Sequence, residues 1–361
     1  MDNTKNIVKQ FALEAEVENI RPLKIGFIND SFIVDTKGEG APSYFLQKIN
    51  HNIFKDVAGL QRNIQLVTDH LRMKLKERGI EDVSRRVLKL VPTKDGALFY
   101  KDENGEYWRV YINIERTKSY DAVTPESAET AGVAFGDFQC MLSDIDTTQL
   151  IETIPNFHNM EFRLEEFREA VKNNAAGRLE ATQWMVDEIE KRAEEMCAPE
   201  RMFREGKLAK RINHCDTKVN NMLFDENDEV ICIVDLDTVM PGFVLSDFGD
   251  FMRTAANTGA EDDANLDNIN VNLEIFEAYT KGYLSKASFL TDVELNNLAF
   301  GAKLLSYMQT TRFFTDYLNG DTYYKIQSPE HNWQRTKAQF KLLQSQEENF
   351  DKMKAIVEKY K

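Results

Sequence analysis

Two short apolar runs, Met222–Phe224 and Val230–Val234, flank the polar stretch Asp225–Glu229. No other stretch limits the fold so tightly, because this spacing predicts an antiparallel hairpin with a polar turn. In such a hairpin Asn221 enters the first strand where Asp235 leaves the second. An amide oxygen and a carboxylate at one hairpin mouth suit a hard cation, of the kind Mg²⁺ is when it also binds substrate phosphates. Asp216, just upstream, overlooks the same spot.

Residues 21–116 read as a small β-rich lobe. Pro22–Ile28 leads into the turn Gly26–Ser31. Phe32–Asp35 follows, then a Gly-rich turn over Lys37–Gly40, then the strand Tyr44–Ile49 bearing Lys48. The Gly26–Ser31 turn offers backbone N–H groups and a hydroxyl to phosphates, or is simply a hairpin turn. Asn52–Arg78 reads as a helix from Leu60, Ile64, Val67, Leu71 and Leu75. Val87–Pro92, Gly96–Tyr100 and Trp108–Ile114 read as strands, with a turn at Asp102–Gly105.

From about Thr117 the pattern turns helical. Thr124-Pro125-Glu126 is a helix start and Thr291–Glu294 a capping box. Leu164–Cys197 holds one or two helices, and Thr336–Tyr360 is a final amphipathic one. The expected division is residues 1–116 and 117–361, with a short hinge near Glu115–Asp121.

The formal net charge of -15, with no basic stripe, argues against a nucleic-acid binder. No apolar run approaches the ~18 residues of a membrane span, and MDNTKNIVKQ lacks the apolar segment of a secretory signal. The four scattered cysteines have no metal-type spacing and read as reduced thiols of a cytoplasmic protein. Oligomeric state is not written in the pattern.

A β-rich lobe with a Gly turn and a strand Lys, a hinge, and a helical lobe with Asp…Asn…Asp is the order of parts in a kinase. His214-Cys215-Asp216-Thr217-Lys218-Val219-Asn220-Asn221 resembles the H-x-D-x-x-x-x-N loop of protein kinases and aminoglycoside phosphotransferase-like kinases. Cys215 in place of the protein-kinase Arg favours the small-molecule branch. INDSF at 28–32, IVDLDTVMPG, SDFGD at 246–250 and RFFTDYLNGDTYY at 312–324 extend the likeness. Together they resemble the N-acetylhexosamine 1-kinases. The resemblance implies an α+β, bilobal, protein-kinase-like fold with a small β-rich N-lobe and a larger, mostly helical C-lobe. It also implies transfer from ATP, with Mg²⁺, to the anomeric hydroxyl of N-acetylglucosamine or N-acetylgalactosamine. A kinase for an aminoglycoside, a choline-like amino alcohol or a thiosugar is the alternative, and a kinase-fold binding protein without turnover is a third reading.

By that resemblance Asp216 is the base or orienting carboxylate, Asn221 and Asp235 hold the metal, and Lys218 neutralises charge on the moving phosphate or is merely solvated. Lys48 contacts the α- and β-phosphates or is an edge-strand Lys. Gly26, Asn29 and Ser31 line the nucleotide, and Asn113 and Glu115 form the hinge at the adenine edge. Asp30, Arg312 and Tyr323 face the sugar; Arg312 has a fixed fork of donors, or forms a helix salt bridge to Asp316 or Glu294. Trp333 is a second aromatic candidate for a sugar face. His158 reads as a structural His. Asp247-Phe248-Gly249 spells the metal triplet of protein kinases but lies 31 residues after Asp216, against 19 for Asp235. Asp247 therefore reads as a brace for the catalytic loop, and Asp237 as an alternate metal ligand. One departure stands out: between Asn52 and Lys76 there is no Glu to pair with Lys48.

Overall fold

The computed structural model describes residues 2–23 and 29–361. The Gly26 reading falls outside them. The chain forms two compact units. The first takes residues 1–119, 144–155 and 222–240; the second takes 120–143, 156–221 and 241–361. The sequence division at 116 is thus crossed twice more. In particular, the hairpin clusters with the N-terminal sheet and not with the helices.

In the first unit six strands form one antiparallel sheet: β1 (Val17–Leu23), β2 (Asp30–Thr36), β3 (Tyr44–Ile49), β4 (Leu90–Val91), β5 (Tyr100–Lys101) and β6 (Tyr107–Ile112). Their order is β1-β2-β3-β6-β4, with β5 also on β6. Side chains alternate between the two faces. Tyr44, Leu46, Trp108 and Val110 share one face, closed by Ile7, Val8 and Phe11 of the N-terminal segment. Ser31, Gln47 and Arg109 lie in register on the other. The helix Val57–Glu77 starts at Asp56, whose carboxylate accepts from Gly59 N at 2.8 Å. Leu60, Ile64 and Val67 on it are 0% exposed, each contributing about 1.5–3 kcal/mol of burial. Asn63 of this helix holds the segment at 151 from both sides, donating to Ile151 O at 2.8 Å and accepting from Ile151 N at 3.1 Å. The hairpin pairs Met222 with Ile233, antiparallel.

The second unit is built of helices. Those at Pro125–Leu142 and Asp292–Leu318 start where expected, the second with the expected capping box at Thr291 and the first with one formed between Thr124 and Ser127. Leu164–Cys197 resolves into Met160–Asn173 and Gln183–Met196, parted by Asn174 in the left-handed region. The helix Val244–Ala255 crosses Asp292–Leu318 at glycines, where a Cβ on Gly249 would lie 2.1 Å from Gly301 O. That close crossing seats the acidic residues of Val244–Ala255 in the interior. The expected helix Thr336–Tyr360 is instead two, His331–Glu348 and Phe350–Tyr360. Asn349, at φ -103° and ψ 10°, parts them, and its N–H and side-chain amide both bond Ser345 O, at 3.1 and 2.9 Å.

Candidate active site

In the second unit Asp216 follows a residue held in an uncommon conformation. Cys215 has φ 63°, a left-handed value costly for a side chain with a Cβ, of the order of 1–3 kcal/mol. Several bonds hold the loop in that shape. Asp247, 1% exposed, accepts the N–H of His214 at 2.7 Å and of Cys215 at 2.8 Å. Gln139 Nε2 adds a third donor at 2.9 Å, and Gln139 in turn accepts from the Tyr283 hydroxyl. Burial pushes the Asp247 carboxyl up to about 6, against the pull of His214 and these donors. Asp250 accepts the N–H of Thr217 at 3.0 Å and pairs with Arg253 at 3.0 Å. The His214 ring, wholly buried, packs edge-on to Phe135 and accepts from Asp216 N at 3.3 Å. Asp216 is thus fixed through its own backbone and both chain neighbours.

Lys218 Nζ lies 2.8 Å from Asp216 Oδ1. Burial would lower the Lys218 ammonium, but the Asp216 carboxylate outweighs it and holds it above its ordinary value. Asn221 Nδ2 donates to Asp216 O at 2.9 Å. An amide fixed by its nitrogen turns its oxygen the other way, as a metal ligand requires.

In the first unit Asp235 itself is left-handed, φ 60°, at the end of the hairpin. Left-handed residues thus stand at Asp235 and, next to Asp216, at Cys215; strain of this kind clusters at active sites. Asp237 is otherwise employed. Arg109, 1% exposed, stands 2.5 Å from its Oδ1, and Asn29 Nδ2 donates to its Oδ2 at 2.7 Å. The Arg109 contact is charge pairing, off the hydrogen-bond direction. Gln47 Oε1 takes the Arg109 Nε and Nη2 at 3.0 and 2.7 Å, and Asp237 holds the guanidinium well above its ordinary value despite burial. Asp237 is therefore a structural partner of Arg109 and Asn29.

Among the described residues no three His, Cys, Asp or Glu side chains gather as a metal cage. Mg²⁺ does not need one. It keeps waters and phosphates and takes one or two protein ligands, so one amide oxygen and one carboxylate fit it.

Several expected nucleotide contacts are engaged elsewhere. Asn29 spends its amide on Asp237 and on Asn50 N, 2.9 Å away. Ser31 is 5% exposed and accepts from Gln47 at 3.1 Å. Lys48 lies opposite Trp108 in register, on the face away from Gln47 and Arg109, and pairs with Asp30 at 3.2 Å. Lys48 and Asp30 thus answer each other, which resolves the missing helix Glu, and neither shares a face with the Asp237 network. At the hinge, Ser43 accepts from Asn113 Nδ2 at 2.9 Å and donates to Glu115 at 2.6 Å, while Asn113 N is taken by Ser43 O. Arg109 was missed in the sequence, although a lone Arg within the apolar strand YWRVYI is a visible signal.

Back in the second unit, Arg312 makes neither proposed salt bridge: Glu294 takes Arg211 at 2.5 Å, and Asp316 takes backbone N–H groups. Its guanidinium instead lies 5.1, 6.0 and 5.7 Å from the ring centres of Phe157, Tyr323 and Tyr324. It gives one donor to Gln309 Oε1 at 3.2 Å. Tyr323 is 58% exposed, whereas Trp333 is partly buried, stacked on Tyr317 against the core. His158 stacks on Phe157 at 4.6 Å, and burial, aided by Arg312 and Arg163 and opposed by Asp250, pushes its imidazole down to about 3. The ring is therefore neutral at physiological pH.

With this geometry in hand, the pattern of the phosphotransferase enzyme family (APH) matches residues 19–283. An aminoglycoside phosphotransferase from Alicyclobacillus acidocaldarius has a similar structure, with TM-score 0.66, 13% identity, and 98% and 96% of the two chains covered. A spectinomycin phosphotransferase solved with ADP and spectinomycin gives 0.61 at 12% identity over 97% and 98%. A microcompartment-associated aminopropanol kinase gives 0.58 at 14% over 98% of each chain. Likeness at this identity speaks to fold: an antiparallel sheet in the smaller unit, helices in the larger.

Proposed function

This chain belongs to the phosphotransferase enzyme family, and from that premise we propose that it moves the γ-phosphoryl group of ATP to the anomeric C1 hydroxyl of an N-acetylhexosamine. The products are the sugar 1-phosphate and ADP. The observation that carries the acceptor assignment is Arg312, set among Phe157, Tyr323 and Tyr324 with no carboxylate partner among the described residues. Aromatic faces and an open fork of donors suit an uncharged ring with hydroxyls and an acetamido oxygen. The guanidinium charge among these rings opposes a cationic acceptor. The competing reading, an aminoglycoside or amino alcohol as acceptor, draws on the net charge of -15. Local charge outweighs it, because Arg163 sits close enough to Arg312 to feel its charge.

Phosphoryl transfer asks mainly for alignment and charge neutralisation. Asp216 Oδ2 accepts the C1 hydroxyl proton as the oxygen attacks the γ-phosphorus and the bond to the β-phosphate oxygen breaks. Lys218, 2.8 Å from Oδ1, holds the Asp216 carboxylate in one orientation. Orientation is therefore its larger contribution. Its ammonium also stands ready to offset charge on the transferring group. Asn221 and Asp235 would hold Mg²⁺, which supplies neutralisation of the β- and γ-phosphate oxygens when bound. Their support is the fixed Asn221 amide and the strained Asp235 backbone. Asn113, Ile114 and Glu115 keep their place at the adenine edge through backbone carbonyls.

The test is ADP release with Mg·ATP across N-acetylglucosamine, N-acetylgalactosamine, neutral hexoses, aminoglycosides and ethanolamine. The N-acetylhexosamines turn over, and phosphorus NMR shows an anomeric phosphate. Turnover of an aminoglycoside with none of either N-acetylhexosamine sinks the assignment.

A further inference from the structure

Asp316 lies in the last turn of the helix Asp292–Leu318, at the negative end of its dipole, where a carboxylate is disfavoured. It is also 4% exposed. A buried acid in that position needs strong compensation, and it has it. Oδ1 accepts the N–H of Thr322 and of Tyr323, each at 2.8 Å. Oδ2 accepts the N–H of Tyr324 at 3.0 Å and Asn332 Nδ2 at 2.8 Å. The chain reaches this arrangement through two left-handed residues, Gly320 at φ 88° and Asp321 at φ 62°. Three successive backbone donors on one carboxylate fix the turn in place and in rotation.

The turn carries the aromatic wall. The Tyr324 ring packs on Phe313 at 4.7 Å and on Tyr323 at 4.8 Å. The Tyr324 hydroxyl accepts from Gln309 Nε2 at 3.2 Å, and Gln309 Oε1 accepts from Arg312 Nη1 at 3.2 Å. A continuous set of bonds thus runs from Asp316 through the turn to the guanidinium of Arg312. We propose that Asp316 is a positioning residue for acceptor recognition: it fixes the turn at 322–324, and through Tyr324 and Gln309 it sets the orientation of Arg312. The inference rests on the reading of Arg312 and Tyr323 as the acceptor-facing wall.

Asp316→Asn tests it. The amide keeps the size but presents an N–H₂ to donors that need an oxygen. Hydrogen exchange at the 322–324 amides speeds by about tenfold or more, while the core of the helix stays protected. Acceptor KM, read with N-acetylglucosamine, rises by about tenfold, with kcat and ATP KM within about twofold. Tyr323→Ala, at an exposed position that does not endanger folding, raises acceptor KM in the same direction. Unchanged exchange at 322–324 in Asp316→Asn overturns the proposal, as does faster exchange with unchanged acceptor KM. If Asp316→Asn does not fold, an unchanged acceptor KM in Tyr323→Ala overturns it. If the wild type phosphorylates another panel acceptor in place of N-acetylglucosamine, the sugar assignment fails. Asp316 is then judged on that acceptor's KM by the same criteria. A wild type that phosphorylates no panel member overturns both.

Discussion

Arg109 and Asp237 meet at 2.5 Å in the interior of the first unit, both almost wholly buried. Arg109 comes from the middle of β6, Asp237 from two residues past the strained Asp235. This pair ties the end of the hairpin to the sheet face that also carries Gln47 and Ser31.

Breaking a buried pair from one side leaves a charge without its partner. Arg109→Leu should therefore destabilise the protein by about 3–5 kcal/mol. The double variant Arg109→Leu, Asp237→Leu should recover much of that loss, since neither charge is then stranded. Urea unfolding of the three proteins checks this. A double variant as weak as the single would show that the pair acts through something other than charge.

Asp216→Asn keeps the shape of the loop and removes the carboxylate. It should lower kcat by orders of magnitude with ATP affinity largely intact. Near-normal turnover in this variant would remove Asp216 from the mechanism.

Asp235→Ala should abolish Mg²⁺-dependent nucleotide binding, while Asp237→Asn should leave it largely in place because Asp237 is engaged with Arg109 and Asn29. Calorimetric titration with Mg·ATP separates the two. The opposite ranking would move the metal to Asp237.

Arg312→Ala should raise acceptor KM more than ATP KM, because its donors and the three surrounding rings lie in the second unit together. The reverse pattern in two-substrate kinetics would place it on the nucleotide side.

His158 gives a pH dependence with a definite sign. Its folded value, about 3, lies below the ordinary 6.5. As pH falls, the unfolded chain takes up that proton first. The stabilisation is whole above pH 6.5 and is lost progressively toward pH 3. His158→Phe keeps the stack on Phe157 and should lose less stability than the wild type over that range. Urea midpoints at several pH values decide it; a steeper loss in the variant refutes it.

Much of the frame was legible. The hairpin, the helix start at Thr124, the capping box at Thr291 and the split between a strand-rich and a helical region follow from local pattern. Local rules read nearest neighbours well, because hydrogen bonds three or four residues apart, or across a short turn, are written in adjacent residues. The Asn349 break was also local, but the apolar period ran through it and masked a residue that caps the helix through Ser345 O.

The chemistry proposed for His214–Met240 was read from the sequence, since the order and spacing of Asp216, Asn221 and Asp235 need no partner to be recognised. Tertiary structure decided which charges remain for that chemistry. Lys48 and Asp30 are spent on each other because the register of β2 and β3 puts them side by side. Asp237 is spent on Arg109, and Asp316 on a turn six to eight residues further along the chain. Arg312 is left facing aromatic rings. A charge buried in a protein must find a partner, and which partner it finds depends on what folding brings beside it, often from a distant part of the chain.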